Sequence, residues 1–527
     1  MVRTMLRIVL LLAAFAGAMP AHAKTLRWSA QGDASTLDPQ AEAELFTNIA
    51  NTMVYEALVR YDEHLHLAPG LATGWKATGP RTWIFRLRRG VTFQDGTPFT
   101  ADDVVFSFER SKASGSTFKL FANQAGAVRK VDDYTVEFTT PAPNPVMAAT
   151  VANILIMSRA WCEKHRTTKP QDFAHNEETY SARHAMGTGP YVLESYEAGV
   201  KSVYRKNPRW WGIAAGLFTG NVDEVMYRPI VNPATRLAAL KSGEVDFVLD
   251  PPVQDVPLLS RDPALTVWKG DENRVILIGL DLARDQLLYS DVKGRNPFKD
   301  RRVRLALYQA IDIEALRRQV MRGLATPTGI PLPTLVDVPG LKDVRYPFDL
   351  AAARRLLAEA GYPGGFGFTL HCPNDRYVND EKICVALASM WAKAGLRVAV
   401  EASPKALYFQ KCERLDVSAY MVGWGGAATD PIFTLKPVLH GRTPEGAGDS
   451  NFGDFRIPEL DALTDRIESE MDPARRQDEI RRAIAILERD IPVLPLHRQV
   501  IPWVTKAGIR LTHRANNTPL MFAIRMP

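Results

Sequence analysis

The sequence predicts an α/β protein of more than one domain, with a β-rich α+β region in its N-terminal half and a doubly wound α/β region in its C-terminal half. Three observations carry this. Its 527 residues exceed what one hydrophobic core organises, which is about 250–300 residues. Before residue 141, apolar residues alternate with polar ones in short runs between turn signals. From residue 366 onward such runs alternate with helical patterns, the order expected of βαβ units.

In chain order, Trp83, Phe85 and Leu87 alternate as a half-buried strand, and Val91 with Phe93 reads as a second short strand. Asp95-Gly96 marks a tight turn. Thr100 precedes Asp103 at capping-box spacing and opens a helix through Phe108. Tyr134, Val136 and Phe138 alternate again before a break at Pro141, Pro143 and Pro145. Further on, Phe366, Phe368 and Leu370 predict a strand, and a helix follows from Asp380 to Ala394. Its buried face carries Ile383, Leu387, Met390 and Trp391, and Gly395 stops it. Leu396, Val398 and Val400 make the next strand, 404–413 a helix, and 417–422 a third strand. This run predicts a mainly parallel sheet with ligands bound beyond the strands' carboxyl ends, where the loops at His371 and Gly423 begin. Residues 24–57 and the apolar, extended 498–527 look complementary and are expected to complete one discontinuous domain.

Arg3, Arg7 and the apolar run Ile8 to Ala18, followed by Ala21-His22-Ala23, have the form of a secretory leader cleaved after Ala23. The run is shorter than the roughly 20 residues a membrane span needs, and no Cys follows it as a lipid-attachment site. The chain is therefore expected to be soluble outside the cytoplasmic membrane. Net charge is +6, and +4 once Arg3 and Arg7 are removed. The basic residues are interleaved with acids, with no Lys/Arg stripe carrying aromatics, which argues against nucleic acid. Cys162, Cys372, Cys384 and Cys412 allow three pairings, and one bridge among the last three is expected. None lies in a C-x-x-C pattern.

Signs of catalysis are missing. The sequence has no G-x-S-x-G elbow, H-E-x-x-H, P-loop or G-x-G-x-x-G after a strand. His64 and His66 lie in a polar turn without other ligands at metal spacing, and His165, His175 and His184 are scattered. Asp102-Asp103 reads as helix-start capping. Neither a metal nor a cofactor is predicted.

The run Thr92-Phe93-Gln94-Asp95-Gly96-Thr97-Pro98-Phe99-Thr100-Ala101-Asp102-Asp103-Val104, preceded by Thr82 to Val91, resembles the signature of family 5 extracytoplasmic solute-binding proteins. These are the dipeptide-, oligopeptide- and nickel-binding proteins of ABC importers. Further matches keep the family's order along the chain. They are Leu37-Asp38-Pro39, Pro69-Gly70-Leu71-Ala72, Gly187-Thr188-Gly189-Pro190-Tyr191, Arg205 to Pro208, Trp211-Gly212, Val303 to Asp312, Ala358 to Tyr362, Gly423-Trp424 and Asp430-Pro431. The resemblance implies a two-lobe periplasmic binding-protein fold of type II (cluster C), with an extra α+β domain inserted near residue 58. It divides the chain into a leader at 1–23, a first lobe from 24–57, 186–272 and 498–527, the insert at 58–185, and a second lobe at 273–497. It implies a monomer in the periplasm that captures a peptide-like or other small organic, anionic solute and hands it to an inner-membrane permease and ATPase. A nickel-chelate or sugar/opine receptor, a secreted hydrolase on this scaffold and a sensory protein are the alternatives.

The resemblance also implies ligand-binding positions. Asn374, Arg376 and Tyr377 fall where the dipeptide-binding branch carries an arginine that grips the peptide carboxylate, as a planar guanidinium can. Trp424 falls at that branch's site tryptophan. Three residues on, where the branch has an Asp for the ligand's amine, this chain has Ala427. Free peptides are then expected to bind poorly unless another acid, Asp430 or Asp375, takes its place.

Overall fold

A computed structural model describes residues 23–175, 177–334, 338–425 and 428–527. Most of the expected leader, and Ala427, lie outside the described residues. No described helix is long and apolar enough to cross a membrane.

The strands in chain order are β1 Thr25–Ser29, β2 Val59–Tyr61, β3 Leu67–Pro69, β4 Ala72–Gly79, β5 Thr82–Leu87, β6 Ala127–Asp132, β7 Thr135–Thr139, β8 Tyr191–Glu197 and β9 Lys201–Lys206. They continue as β10 Glu224–Tyr227, β11 Phe247–Leu249, β12 Leu265–Leu280, β13 Ala325–Pro327, β14 Gly367–Pro373, β15 Arg397–Ser403, β16 Ala419–Gly425 and β17 Val493–Lys506. Eleven of them form one mixed sheet in the order β15-β14-β16-β12-β17-β11-β1-β10-β9-β8, with β13 also on β17. The long antiparallel pair β12 and β17 stands at its centre. On one side β17 pairs with β11 through Trp503–Thr505, and on the other β12 pairs with β16 from Arg274 to Leu280. The β12–β17 register breaks between Asp271 and Val275.

Beyond β12 the predicted run of strands and helices is present. Helices Asp380–Lys393 and Lys405–Glu413 connect β14, β15 and β16, and β14 is parallel to both of the others. Because β15 and β16 lie on opposite sides of β14, right-handed crossovers place the two helices on opposite faces. Ile383, Leu387 and Trp391 of the first join one core, while Tyr408 and Cys412 of the second join the other. The parallel run is narrower than expected, since it stops at these three strands where β12 pairs antiparallel with β16 and β17 pairs antiparallel with β12.

A second, antiparallel sheet has the order β4-β5-β7-β6. Its helix runs Ala101–Ser111, and the backbone N–H of Thr100 donates to Asp103 Oδ2 at 2.9 Å. The second short strand expected at Val91–Phe93 is instead a turn. Only the bridge Thr92–Pro98 forms, because Gly96 (φ +94°) and the Asp95 carboxylate, accepting from Thr97 N at 2.9 Å, fold the chain back at once. Trp28 of β1, Phe85 and Phe138 of the second sheet, Phe108 of its helix, and Trp503 of β17 belong to one continuous core. Cys372 and Cys384 are bridged, whereas Cys162 and Cys412 are free and buried.

Asp38, of the Leu37-Asp38-Pro39 motif, ties the segment after β1 to the helix Ala101–Ser111 and to the 167–181 stretch. Its side chain and that of Arg110 are both fully buried. Its carboxylate accepts from Arg110 Nη1 at 2.9 Å, Ser181 Oγ at 2.8 Å, and the backbone N–H groups of Gln40 and Gln171 at 3.1 Å. Arg110 donates onward to the Thr167 and Lys169 carbonyls. Burial pushes the Asp38 carboxyl up, but the charge and bonds of Arg110 outweigh it and hold it below the usual range. Asp38→Ala is expected to cost about 3–5 kcal/mol, because Arg110 would stay buried without its counter-charge. The contribution of Asp38 is present above about pH 4 and fades as pH falls further. Urea unfolding should therefore separate wild type and variant widely at pH 7 and less at pH 3; equal midpoints at pH 7 would contradict this.

Candidate functional site

A cavity of about 1280 Å³ lies where β12 and β17 pass between the two halves of the sheet. That exceeds the few hundred to about 1,000 Å³ of most small-molecule pockets. One set of lining residues comes from the 44–61 segment, from Asp250 to Gln254 after β11, and from Arg514 to Phe522. The other comes from Asp375 to Asn379 after β14 and from Lys405 and Phe409. Between them stand Glu272, Asn273, Arg274 and Gln499, at the break in the β12–β17 register.

The loop after β14 is held at many points. Cys372 and Cys384 are joined across it. Asp380 Oδ2 accepts the backbone N–H groups of Arg376 and Tyr377 at 2.9 and 3.0 Å. Asp375 Oδ1 accepts from Lys405 N at 2.6 Å, Asn374 N donates to the Ser403 carbonyl at 3.1 Å, and Val378 N donates to Gln499 Oε1 at 3.2 Å. Tyr377 is buried and its hydroxyl donates to the Gly423 carbonyl at 3.2 Å. The loop thus sits over the point where strand order reverses around β14, the switch-point position for ligands in such sheets. Two guanidinium carbons flank the Tyr377 ring, Arg376 at 5.2 Å and Arg274 at 5.9 Å from its centroid. Arg274 is paired with Glu272 at 3.1 Å. Arg376 is exposed and pairs with no carboxylate among the described residues.

The other charges are fixed from behind. Glu56 accepts from Thr188 Oγ1 at 2.7 Å and from the indole N–H groups of Trp210 and Trp211 at 3.0 Å. Burial pushes its carboxyl up to about 7 against the pull of those bonds. Arg514 donates to the carbonyls of Tyr61, Asp62 and Thr518, and burial lowers it to about 10. Asp250, at the end of β11, accepts from Asn517 Nδ2 at 3.0 and 3.1 Å. Burial pushes its carboxyl up to about 7, Asn517 pulls it down, and the negative charge of Glu272 raises it again.

Of the residues singled out by sequence, Arg376 and Tyr377 come together on the cavity and Asn374 lies beside them without lining it. Trp424 is placed away from the cavity. Its indole donates to the Phe433 carbonyl at 2.8 Å and its ring packs on the core of the opposite face. Asp430 also lies elsewhere, in a two-bond ion pair with Arg476 at 2.8 and 2.7 Å. Asp375 lines the cavity but is occupied in capping the Lys405 helix. Sequence reasoning missed Glu56, Asp250, Glu272, Arg274 and Arg514. Asp250-Pro251-Pro252 directly after an apolar strand was the one available signal, since strand ends carry ligand loops in the first half of the chain too.

The model of bacterial extracellular solute-binding proteins, family 5 Middle, matches residues 66–445. Heme-binding protein A of Haemophilus influenzae is 28% identical over 483 residues, covering 86% of this chain and 83% of the relative. Di/tripeptide-binding protein 1 of Pseudomonas aeruginosa is 26% identical over 534 residues, covering 95% and 94%. The structure of HbpA2 from Haemophilus parasuis shares the fold with a TM-score of 0.81 at 23% identity, covering 96% of this chain and 100% of that one.

Gly423 gives Tyr377 its place. A Cβ there would lie 2.5 Å from the Tyr377 ring and 2.9 Å from Ile276 Cδ1. Gly423→Ala is therefore expected to destabilise by about 1–3 kcal/mol through overpacking. Adding Tyr377→Ala should return part of that loss. Thermal melts of the two single variants and the double variant check this, and purely additive effects would contradict it.

Proposed function

The chain belongs to the family 5 bacterial extracellular solute-binding proteins, the binding components of ABC importers, and from that membership we propose how it works. It captures a peptide-like or other small organic solute with an anionic group in the cavity at the β12–β17 crossing. It then presents the solute to its permease as a periplasmic monomer, after a leader is removed behind Ala23. Arg376 grips the anionic group and Tyr377 packs beside it. The observation that carries this reading is the Arg376 guanidinium, standing on the cavity without a carboxylate while its own backbone is locked by Asp380. A free, pre-positioned fork is suited to two parallel bonds with a carboxylate or phosphate.

The two lobes and insert of this reading are those drawn from the family resemblance, with the closing motion at residues 271–275 and 498–500. The name of the heme-binding relative is a weaker guide. No described histidine or cysteine lines the cavity, although Met53 and Met521 do, so the lining carries no His or Cys to hold a heme iron. The di/tripeptide-binding relative agrees better with a wall of mixed charges. We also assign no chemistry to the site, because Glu56 and Asp250 are held by Trp, Thr and Asn donors rather than set against a nucleophile.

Arg376→Ala is expected to weaken the solute that co-purifies with the protein, once native mass spectrometry has identified it. The loss should be about 1.5–3 kcal/mol, roughly ten- to a hundredfold. Calorimetry giving wild-type affinity would remove Arg376 from the site.

A further inference from the structure

Five acidic side chains line the cavity: Glu44, Glu56, Asp250, Glu272 and Asp375. Four are already committed. Glu44 accepts from the backbone N–H groups of Phe46 and Thr47, Glu56 from Thr188 and two tryptophans, and Asp375 from Lys405 N. Glu272 is shared between Arg274 and Gln499 Nε2, the latter at 2.7 Å. Asp250 differs. Its one hydrogen-bonding partner among the described residues is the neutral amide of Asn517, and it forms no ion pair with them. A carboxylate has about four acceptor positions, so most of its capacity is unused.

Its placement is also built rather than incidental. Asp250 has φ +52°, a left-handed conformation that non-glycine residues seldom adopt and Asp tolerates better than most. Pro251 and Pro252 follow and stiffen the turn. The supporting amide has a fixed orientation: the indole of fully buried Trp503 can only donate, and it donates to Asn517 Oδ1 at 2.7 Å. Asn517 must therefore present its NH₂ to Asp250. Arg236 acts on Asp250 only through space, because its guanidinium is tied to the Ile230 and Val231 carbonyls. With Glu272 close enough to repel it, this corner of the cavity favours an incoming cation.

We infer that Asp250, oriented by Asn517 and Trp503, binds a cationic nitrogen of the solute, so that the ligand is a zwitterion held between Asp250 and Arg376. This rests on the peptide-like reading above and deepens it. It puts the amine-binding carboxylate at the end of β11 rather than at Asp430, Asp375 or position 427. A free ammonium would then be paired on binding, and blocking it would leave Asp250 buried against an uncharged group.

The test uses the mature protein, a panel of free dipeptides and tripeptides, and their N-acetylated counterparts, read by thermal shift and calorimetry. Free peptides should bind roughly a hundredfold more tightly than acetylated ones. Asp250→Asn, which suits the left-handed backbone, should erase that preference, weakening free peptides and no longer penalising acetylated ones. Asp250→Glu should keep part of it. Equal binding of free and acetylated peptides by wild type, or a preference that survives Asp250→Asn, would overturn the inference. If only acetylated peptides bind, Asp250 loses its role and the peptide-like reading stands. If no member of the panel binds, both fall. Should Asp250→Asn fail to fold, Asp250→Glu decides: a preference for free peptides as large as that of wild type would overturn the inference.

Discussion

The antiparallel pairing of β12 with β17 is the interaction on which the rest of the molecule depends. Among the described residues, these two strands alone carry the main sheet from one half to the other. Along most of their length they bond to each other regularly. At Asp271–Val275 the register breaks, and Glu272, Asn273 and Arg274 line the cavity there. Movement at that break disturbs few backbone bonds, whereas movement elsewhere would tear a ladder or a packed core. A solute touching both halves gains contacts only when they approach, and that differential affinity can draw an open molecule shut.

The motifs that made the sequence recognisable are mostly rigidifying devices rather than ligand contacts. Asp38 anchors the helix Ala101–Ser111 through Arg110. Thr188 and Trp211 of two separate motifs meet on Glu56. The glycines on either side of Thr188 lie so close to the Val54 carbonyl that a Cβ at either would sit under 3 Å from it. Asp430 holds Arg476, and Gly423 makes room for Tyr377. Walls fixed in this way lose little conformational freedom when a solute arrives, so more of the contact energy appears as affinity.

Much of the fold was legible because its signals are local. Strand alternation at Trp83–Leu87 and Phe366–Leu370, the Thr100–Asp103 spacing and the apolar face of Asp380–Lys393 each depend on a few neighbouring residues. What was not legible depends on distant partners. Val91–Phe93 has strand character, but the turn through Gln94, Asp95 and Gly96 folds it back. Asp430 looked like an available acid, and only its pairing with Arg476, far along the chain, removes it. Trp424 had the right strand but points to the other face, a distinction that a period of two makes absolute. Asp250 was missed because its significance comes from Asn517 and Trp503, which lie on the returning C-terminal segment.

A solute bound at the β12–β17 crossing is expected to close the two halves on each other. Small-angle X-ray scattering of the mature protein, stripped of cargo and then saturated with the solute it co-purifies with, tests it most directly. The radius of gyration should fall with solute bound, and Arg376→Ala should need more solute to reach the same fall. A radius of gyration unchanged by saturating solute would contradict it.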